Sequence, residues 1–575
     1  MTQEEIHHFI RNLKRLENER KRGWETHWRD LARHFLPRRA RFLDAGDETN
    51  NGEARNFLED SIGIMALRLL ANGMQSGLTS PSRPWFSLTL EDAALAEHAD
   101  AKLWLHDTYE KMVSLFARSN FYDQVHILYS ELACFGTGVV IIEEDPRITM
   151  RCRTLTVGEY VLDTGEDGRV DTLYRRIRMT PRQIVQAWPE TCPEAIRALA
   201  EQDAGRWITI LHAIEPFQST SAYRTTDKGY QRTGRGLKGN DRPWRSVYLV
   251  LDGSNREVLE DSGYYEFPAL CPRWIVTASD VYGASPAMDA LPDCRQLQKM
   301  TEDGRLSLEV EVGPPMIVAE GTVNGPLDLS PRAINYTSTL TQGQEIARPL
   351  VQRQSRANLQ ALAVEKANIK EQIQRHFHND LFLMISEAGK NMTATEVAER
   401  NGEKLLMLGP VLDRLRAELF QPLIERVYGI MDRAGMIAFP PPALAGQRVK
   451  VEFISILAQA QKQAGLSAVD QLVARTGQLA QVTGAPDALD KLNVDGLVDL
   501  YAELLGTPPN LVLAQDELTA KREARARQMQ QMQMLSALQQ GAQAAETGTQ
   551  AIKNIMPQGA SQAGETAAPM QGVTP

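Results

Sequence analysis

Cysteine is scarce in this 575-residue chain and badly placed for chemistry. The five residues Cys134, Cys152, Cys192, Cys271 and Cys294 are scattered, odd in number and contain no C-x-x-C pair. That excludes a disulfide framework and a zinc ribbon and points to a reducing compartment. Positive charge is in deficit: 63 Lys and Arg against 73 Asp and Glu leave a net charge of −10. Such a surface does not coat itself with nucleic acid or anionic lipid, so contact with either must be local or weak. Long apolar runs are missing too. The most continuous, GTGVVII at 136–142, is far below the roughly 20 residues that span a bilayer. The opening MTQEEIHHFIRNLKRLENERKR lacks the apolar core of a signal peptide, so neither secretion nor membrane insertion is expected. No internal repeat of solenoid length is present.

Catalytic signatures are equally thin. There is no G-x-x-x-x-G-K-[ST], so no phosphate-binding loop and no ATP motor is expected. No H-E-x-x-H, G-x-S-x-G or G-x-G-x-x-G lies between a strand and a helix. Paired acids such as Glu143–Glu144 and Glu302–Asp303 lack a neighbouring nucleophile or base in any known motif. His376 and His378 could bind a metal with Asp380, but positions i and i+2 of a helix face different ways, which favours a plain polar surface. The expectation is no catalytic residue, no cofactor and no metal.

What is present is ordinary globular material: 43% hydrophobic and 24% charged residues, enough for about four parts at roughly 150 residues each. Ile6, Phe9, Leu13, Leu16, Trp24, Trp28, Leu31 and Phe35 recur at helical spacing, predicting one long amphipathic helix. Its other face is basic, with 11 Lys and Arg against 7 acids in residues 1–46. A nucleic-acid arm is one reading, but Glu17, Glu19 and Glu25 alternate with the bases, which favours a solvated face with i,i+4 pairs.

Further helices are predicted over 57–76 and 93–119, then a helix running into the strand GVVIIEE. From there to about residue 274, short β-branched runs separated by turns predict a β-rich part, interrupted by a helix that Thr180-Pro181 opens. The loop KGYQRTGRGLKGNDRPWR at 228–245 could clamp a phosphate backbone, though a mobile strand connection is the simpler reading. Ser285-Pro286 opens a second such helix, which ends at Gly313-Pro314. A punctuated stretch with small strands follows, and another long polar helix returns at 357–383. Two long, weakly apolar helices around a small β insertion cannot be stable alone and are expected to pack against copies of themselves. Thr393-Ala394-Thr395-Glu396 is a capping box opening a helix to about residue 434, with kinks expected at Pro410 and Pro422. The Gln-rich tail past about residue 541 has a disordered composition.

Six blocks carry a family likeness: Asp60-Ser61-x-Gly63 with ALRLLANGMQSGLTSPSRPWFSL (66–88), SNFYDQVHILYSELACFGTGVVIIEED (119–145), YGASPAMDALPDCRQLQKM (282–300), GPPMIVA (313–319), MTATEVAER (392–400) and ISILAQAQK (454–462). In this order they resemble the head-to-tail connecting, or portal, proteins of short-tailed bacteriophages, over about residues 6–505. The resemblance implies an α+β, mainly helical fold. Its parts would be a wing at 1–281 (β-rich over about 136–280), a stem helix at 282–312, a small α/β clip at 313–356 and a second stem helix at 357–386. A channel loop and long wing helix would occupy 387–453, a helical crown 454–540, and a disordered tail 541–575.

It further implies a homo-oligomeric ring, usually a dodecamer, at one capsid vertex of the virion, formed in the host cytoplasm during assembly. Double-stranded DNA would be packaged and ejected through its channel, with no membrane involved. Implied partners are the terminase large subunit, a tail adaptor protein, and the major capsid and scaffolding proteins. Candidate DNA-channel contacts are Lys390 and Asn391 in the channel loop, then Lys366, Lys370 and Arg375 on the second stem helix. Inter-subunit salt bridging is an equal alternative for those three. Trp85, Phe86, Phe121 and Tyr122 form a tempting aromatic platform, but core is favoured, because stacking needs exposed single strands. A tail adaptor, a scaffold or a phage nucleic-acid enzyme are the competing classes; length, the β-rich centre and the absent motifs count against them.

Overall fold

The computed structural model describes residues 1–37, 58–90, 99–217, 242–252, 256–277, 280–319, 328–337, 347–349, 356–380, 409–441 and 449–453, with short pieces of 473–501 and the stretch 518–534. Met1–Ala96 and Asp100–Pro508 form one compact unit. A second comprises Glu97–Ala99 and Pro509–Pro575, in which 518–534 is an exposed helix.

Helix α1 (Gln3–Gly23) opens with a capping box: the Thr2 hydroxyl accepts from the Glu5 N–H, and the Glu5 carboxylate accepts from the Thr2 N–H. The apolar stripe predicts one helix to Phe35, but the chain breaks at Trp24 and restarts as α2 (Glu25–Phe35). Glycine at 23 weakens the helix there, and the Trp24 ring packs on Trp28 and Tyr282. Arg20, the residue that interrupts the stripe, is buried because its guanidinium donates to the carbonyls of Gly158 and Tyr160.

Helices α3 (Ile62–Leu78), α4 (Ala99–Arg118) and α5 (Phe121–Phe135), with strand β1 (Phe86–Leu90) between the first two, complete the N-terminal part. The β-rich part begins with β2 (Val139–Asp145), whose first four residues are all buried, and continues through β3 (Thr149–Leu155), β4 (Tyr160–Thr164) and β5 (Val170–Met179). Short helices α6 (Pro181–Ala187), opened by the Thr180 capping box, and α7 (Glu194–Gln202) come next. Strands β6 (Ile208–Pro216), β7 (Trp244–Val250), β8 (Val258–Tyr264) and β9 (Ala269–Leu270) finish it.

Strands β4 to β8 form one antiparallel sheet in sequence order, and β2 pairs with both β3 and β9. Alternation along the large sheet sends Leu211 and Ala213 to one face, under Phe9 and Leu13 of α1. Ile208 and Ile210 go to the other, under Ile184 and Ile196 of α6 and α7. Each such fully buried large apolar side chain contributes about 1.5–3 kcal/mol. The basic face of α1 is partly spent on the same docking: Arg15 pairs with Asp163 at 2.6 Å, and Arg176 of the sheet reaches Glu17 at 2.6 Å.

Beyond the sheet, α8 (Pro286–Val312) leads to β10 (Met316–Ala319), β11 (Ile334–Thr337) and β12 (Ala347–Pro349), and α9 (Arg356–His376) returns. The three strands form a sheet in the order β11-β10-β12, with β10 and β11 parallel; among the described residues of this insertion there is no helix. Helix α10 (Gly409–Leu415) passes through a π-turn, Arg416–Phe420, into α11 (Gln421–Arg433). Of the two prolines that predict kinks, Pro410 lies in the first turn of α10, and Pro422 follows the π-turn, where its missing N–H removes an α-helical bond. Strand β13 (Val449–Phe453) pairs with β1. The Thr393 capping box, most of the expected crown and the tail past residue 541 lie outside the described residues. The fold is α+β.

Candidate functional site

Helix α8 starts on Ser285, whose hydroxyl accepts from the Met288 N–H and donates to the Cys134 carbonyl at 2.7 Å. Its first half is apolar on one side and packed into the body: Ala287, Ala290, Leu291, Cys294 and Leu297 are buried. From Met300 the helix changes character, with Leu306, Leu308 and Val312 left 41%, 53% and 72% exposed. Helix α9 mirrors this in reverse. Val364 in its outer part is exposed, while Ile369 and Ile373 near its end, and Phe377 just beyond, are buried. The two helices lie against each other, closely enough at Gly304 that a Cβ there would come within 2.9 Å of Leu362.

A short strap ties both helices to the body. The Gln298 amide oxygen accepts from the Glu59 and Asp60 N–H groups at 2.7 and 3.0 Å, and its nitrogen donates to the Asp60 carbonyl at 2.6 Å. Asp60 in turn pairs with Lys370 at 2.7 Å. His376 reaches Asp293 across the helices at 3.2 Å. Behind the strap, Gly63 allows close approach: a Cβ there would meet Phe35 and Cys294 at 3.0–3.1 Å. At the root of α8, Gly136 holds φ +75° and its missing side chain would lie 2.1 Å from the Gly283 carbonyl, so no other residue fits.

Helix α11 is bolted to the β-rich part by charge. Arg426 and Arg433 both reach Glu266, at 2.6 and 2.7 Å, and Arg433 also reaches Glu144 at 2.8 Å. Burial alone would raise the Glu266 carboxyl, but the Arg433 and Arg426 guanidiniums outweigh it and hold the group below its ordinary range.

The family described as "Bacteriophage head to tail connecting protein" matches residues 7–513. A probable portal protein of Bordetella phage BPP-1 is 36% identical over 91% of this chain and 92% of its own. The portal protein of Salmonella phage epsilon15 is 35% identical over 95% and 96%. The chain belongs to the head-to-tail connecting family. Among solved structures, the neck of an empty gene transfer agent particle is similar over 79% of this chain and 92% of its own, at 14% identity and a TM-score of 0.35.

As a family member the chain is a structural component of a phage particle and not an enzyme. Burial pushes the Cys152 and Cys294 thiols up to about 12 and Cys134 well above its ordinary value, far from thiolate reactivity. Trp85, Phe86 and Phe121 are buried, and Trp85 stacks on Phe121 at 6.0 Å, so these rings are core.

Lys390 and Asn391 lie outside the described residues, as do residues 228–241 of the basic loop. The described end of that loop serves the fold: Arg245 is held by Asp261 at 2.8 Å and Glu5 at 3.1 Å. Of the three described channel candidates, Lys370 is taken by Asp60, and Arg375 pairs with Glu371 one turn back at 2.5 Å. Lys366 is half-buried. The Gln298 strap, the Gly136–Gly283 contact and the Glu266 network were not predicted, because each joins residues more than 100 positions apart with no local pattern.

Proposed function

We propose that this chain is the subunit of a portal: a ring, of twelve copies in the usual case, at one capsid vertex of the virion, through which double-stranded DNA enters and leaves. The match to portal proteins over more than nine-tenths of the chain carries this reading. In it, α8 and α9 are the stem, β10 to β12 belong to the clip, residues 1–281 to the wing, 387–453 to the channel loop and long wing helix, and 454–540 to the crown. Closing the ring would bury the outer helix halves, which the subunit by itself leaves in water. Terminase, a tail adaptor, capsid and scaffold would dock on the assembled ring, which assembles in the host cytoplasm.

The charge balance suits conduction. Twelve subunits of −10 carry about −120, and each phosphate that the channel neutralises adds salt-dependent affinity that would hold DNA in place. Contacts with DNA are therefore few, and Lys390 and Asn391 lead, followed by Lys366; Lys370 and Arg375 come last because each has an acidic partner. The test is cryo-electron microscopy of the purified chain, scoring end-on views for rotational symmetry. Uniform rings with an opening of about 20 Å or more are expected, since the major groove of DNA alone spans about 12 Å. A population of monomers at all concentrations and salts overturns the reading.

A further inference from the structure

One buried arginine joins three segments that are far apart in sequence: the turn at Gly168, its own stretch at 273–281 and the turn at Glu418. Arg273, just past β9, is 3% exposed. Its backbone N–H and its Nε both donate to Glu418 Oε2, at 2.9 and 3.3 Å, and its Nη2 donates to Glu418 Oε1 at 2.7 Å. The same Nη2 donates to the Gly168 carbonyl in the β4–β5 turn at 2.9 Å. Nη1 reaches the carbonyls of Asp280 and Val281, each at 3.4 Å. Those two carbonyls belong to the loop that delivers the chain to Ser285 and α8. The loop is closed on itself by paired backbone bonds between Ile275 and Ala284, 3.3 and 2.7 Å. Glu418 lies in the π-turn between α10 and α11 and also accepts from Arg414 at 3.3 Å. π-turns are rare interruptions that concentrate where a helix does a specific job.

We propose that Arg273 and Glu418 form a positioning joint that fixes the direction in which α8 leaves the body, and through it the number of subunits that close the ring. This rests on the portal reading for the ring and on the bonds above for the joint. In a ring of identical subunits the rotation per step is set by how two surfaces of one subunit are oriented to each other. A twelve-membered ring turns about 30° per subunit and a thirteen-membered one about 28°, so an error of about two degrees at the root of α8 changes the count. A planar guanidinium with five acceptor atoms in fixed directions supplies angular definition that an ammonium or a methyl cannot.

The experiment uses full-length chain carrying Arg273→Met with Glu418→Leu, which removes both charges together and leaves no buried ion unpaired. Arg273→Lys, which keeps the charge and loses the fork, is the second variant should the first fail to fold. Hydrogen exchange of the α8 amides over 286–297 is expected to quicken about tenfold in the double variant, although neither substitution lies in that helix. Ring counts are expected to spread over neighbouring symmetries where the unmodified chain gives one. Faster exchange confined to 409–433 and the residues beside 273, with ring symmetry unchanged, overturns the joint and leaves the portal reading standing. Failure of the unmodified chain to form rings removes the portal reading, while the exchange measurement still decides the joint.

Discussion

The inner and outer halves of α8 obey different rules. The inner half has its apolar side covered, its cap bonded to Cys134 and its Gln298 amide held by three hydrogen bonds to the strap. In the outer half Leu308 and Val312 face water, and the ion pairs are exposed: Arg305 pairs with Glu309 along the helix and reaches back to Glu59 at 3.4 Å. Exposed pairs of that kind contribute only about 0.3–0.5 kcal/mol each, so they do not explain why the outer half holds together. A body that satisfies itself has been joined to an extension that does not. In the portal reading proposed above, intramolecular stability and assembly belong to different halves of the same helix, and substitutions should separate them.

The largest effect is expected where the root of α8 allows no atom at all. Gly136→Ala demands a methyl 2.1 Å from a carbonyl at a left-handed φ of +75°. It should cost at least about 3 kcal/mol, read as loss of soluble chain or a steep fall in denaturation midpoint. Next come paired truncations. Phe377→Ala removes a fully buried ring that packs on Phe35 and should cost about 3–5 kcal/mol of subunit stability. Leu308→Ala, at a position 53% exposed, should stay within about 0.5 kcal/mol for the isolated subunit. Leu308→Asp should nonetheless lower the yield of rings severalfold. Equal stability losses at Phe377 and Leu308 would erase the distinction between the halves.

A smaller, pH-dependent effect tests the bolt on α11. Because Glu266 is held below its ordinary range in the folded chain, its contribution is complete above the unfolded carboxylate pKa of about 4.3 and is lost as pH falls through the lower folded value. Denaturation midpoints should therefore drop on acidification below about pH 4.5, and Glu266→Gln should flatten that limb by the share this one group supplies. An unchanged acid limb in the variant would mean that Arg426 and Arg433 hold their places without it.

Much of this was legible beforehand and some was not, for physical reasons. Thr180-Pro181 and Ser285-Pro286 announce α6 and α8 correctly, because caps act within one turn of the chain. The apolar stripe of α1 and α2 places its buried residues correctly apart from Trp24, which is half-buried, but it could not show that the Trp24 ring at the break packs on Tyr282 from far along the chain. Nor could it show why an arginine interrupts the stripe: Arg20 is matched by carbonyls of Gly158 and Tyr160, about 140 residues away. The channel candidates suffered in the same way. Periodicity puts Lys370 on a polar face, yet only the fold brings Asp60 to it.

That pairing supplies the smallest and sharpest test. Lys370 and Asp60 are 2.7 Å apart with Asp60 largely covered, so the pair should contribute about 0.5–1 kcal/mol. Lys370→Ala, Asp60→Asn and the double variant form a cycle in which the losses should not add, because the second substitution removes an interaction already gone. A lysine spent in this way has little left for phosphate, so Lys370→Ala should leave the salt dependence of DNA retention as it was. Lys366→Ala, with no strap residue to answer to, should lower it. The reverse pattern, additive stability losses with a changed salt slope at Lys370, would move that side chain from the body of the subunit to the channel wall.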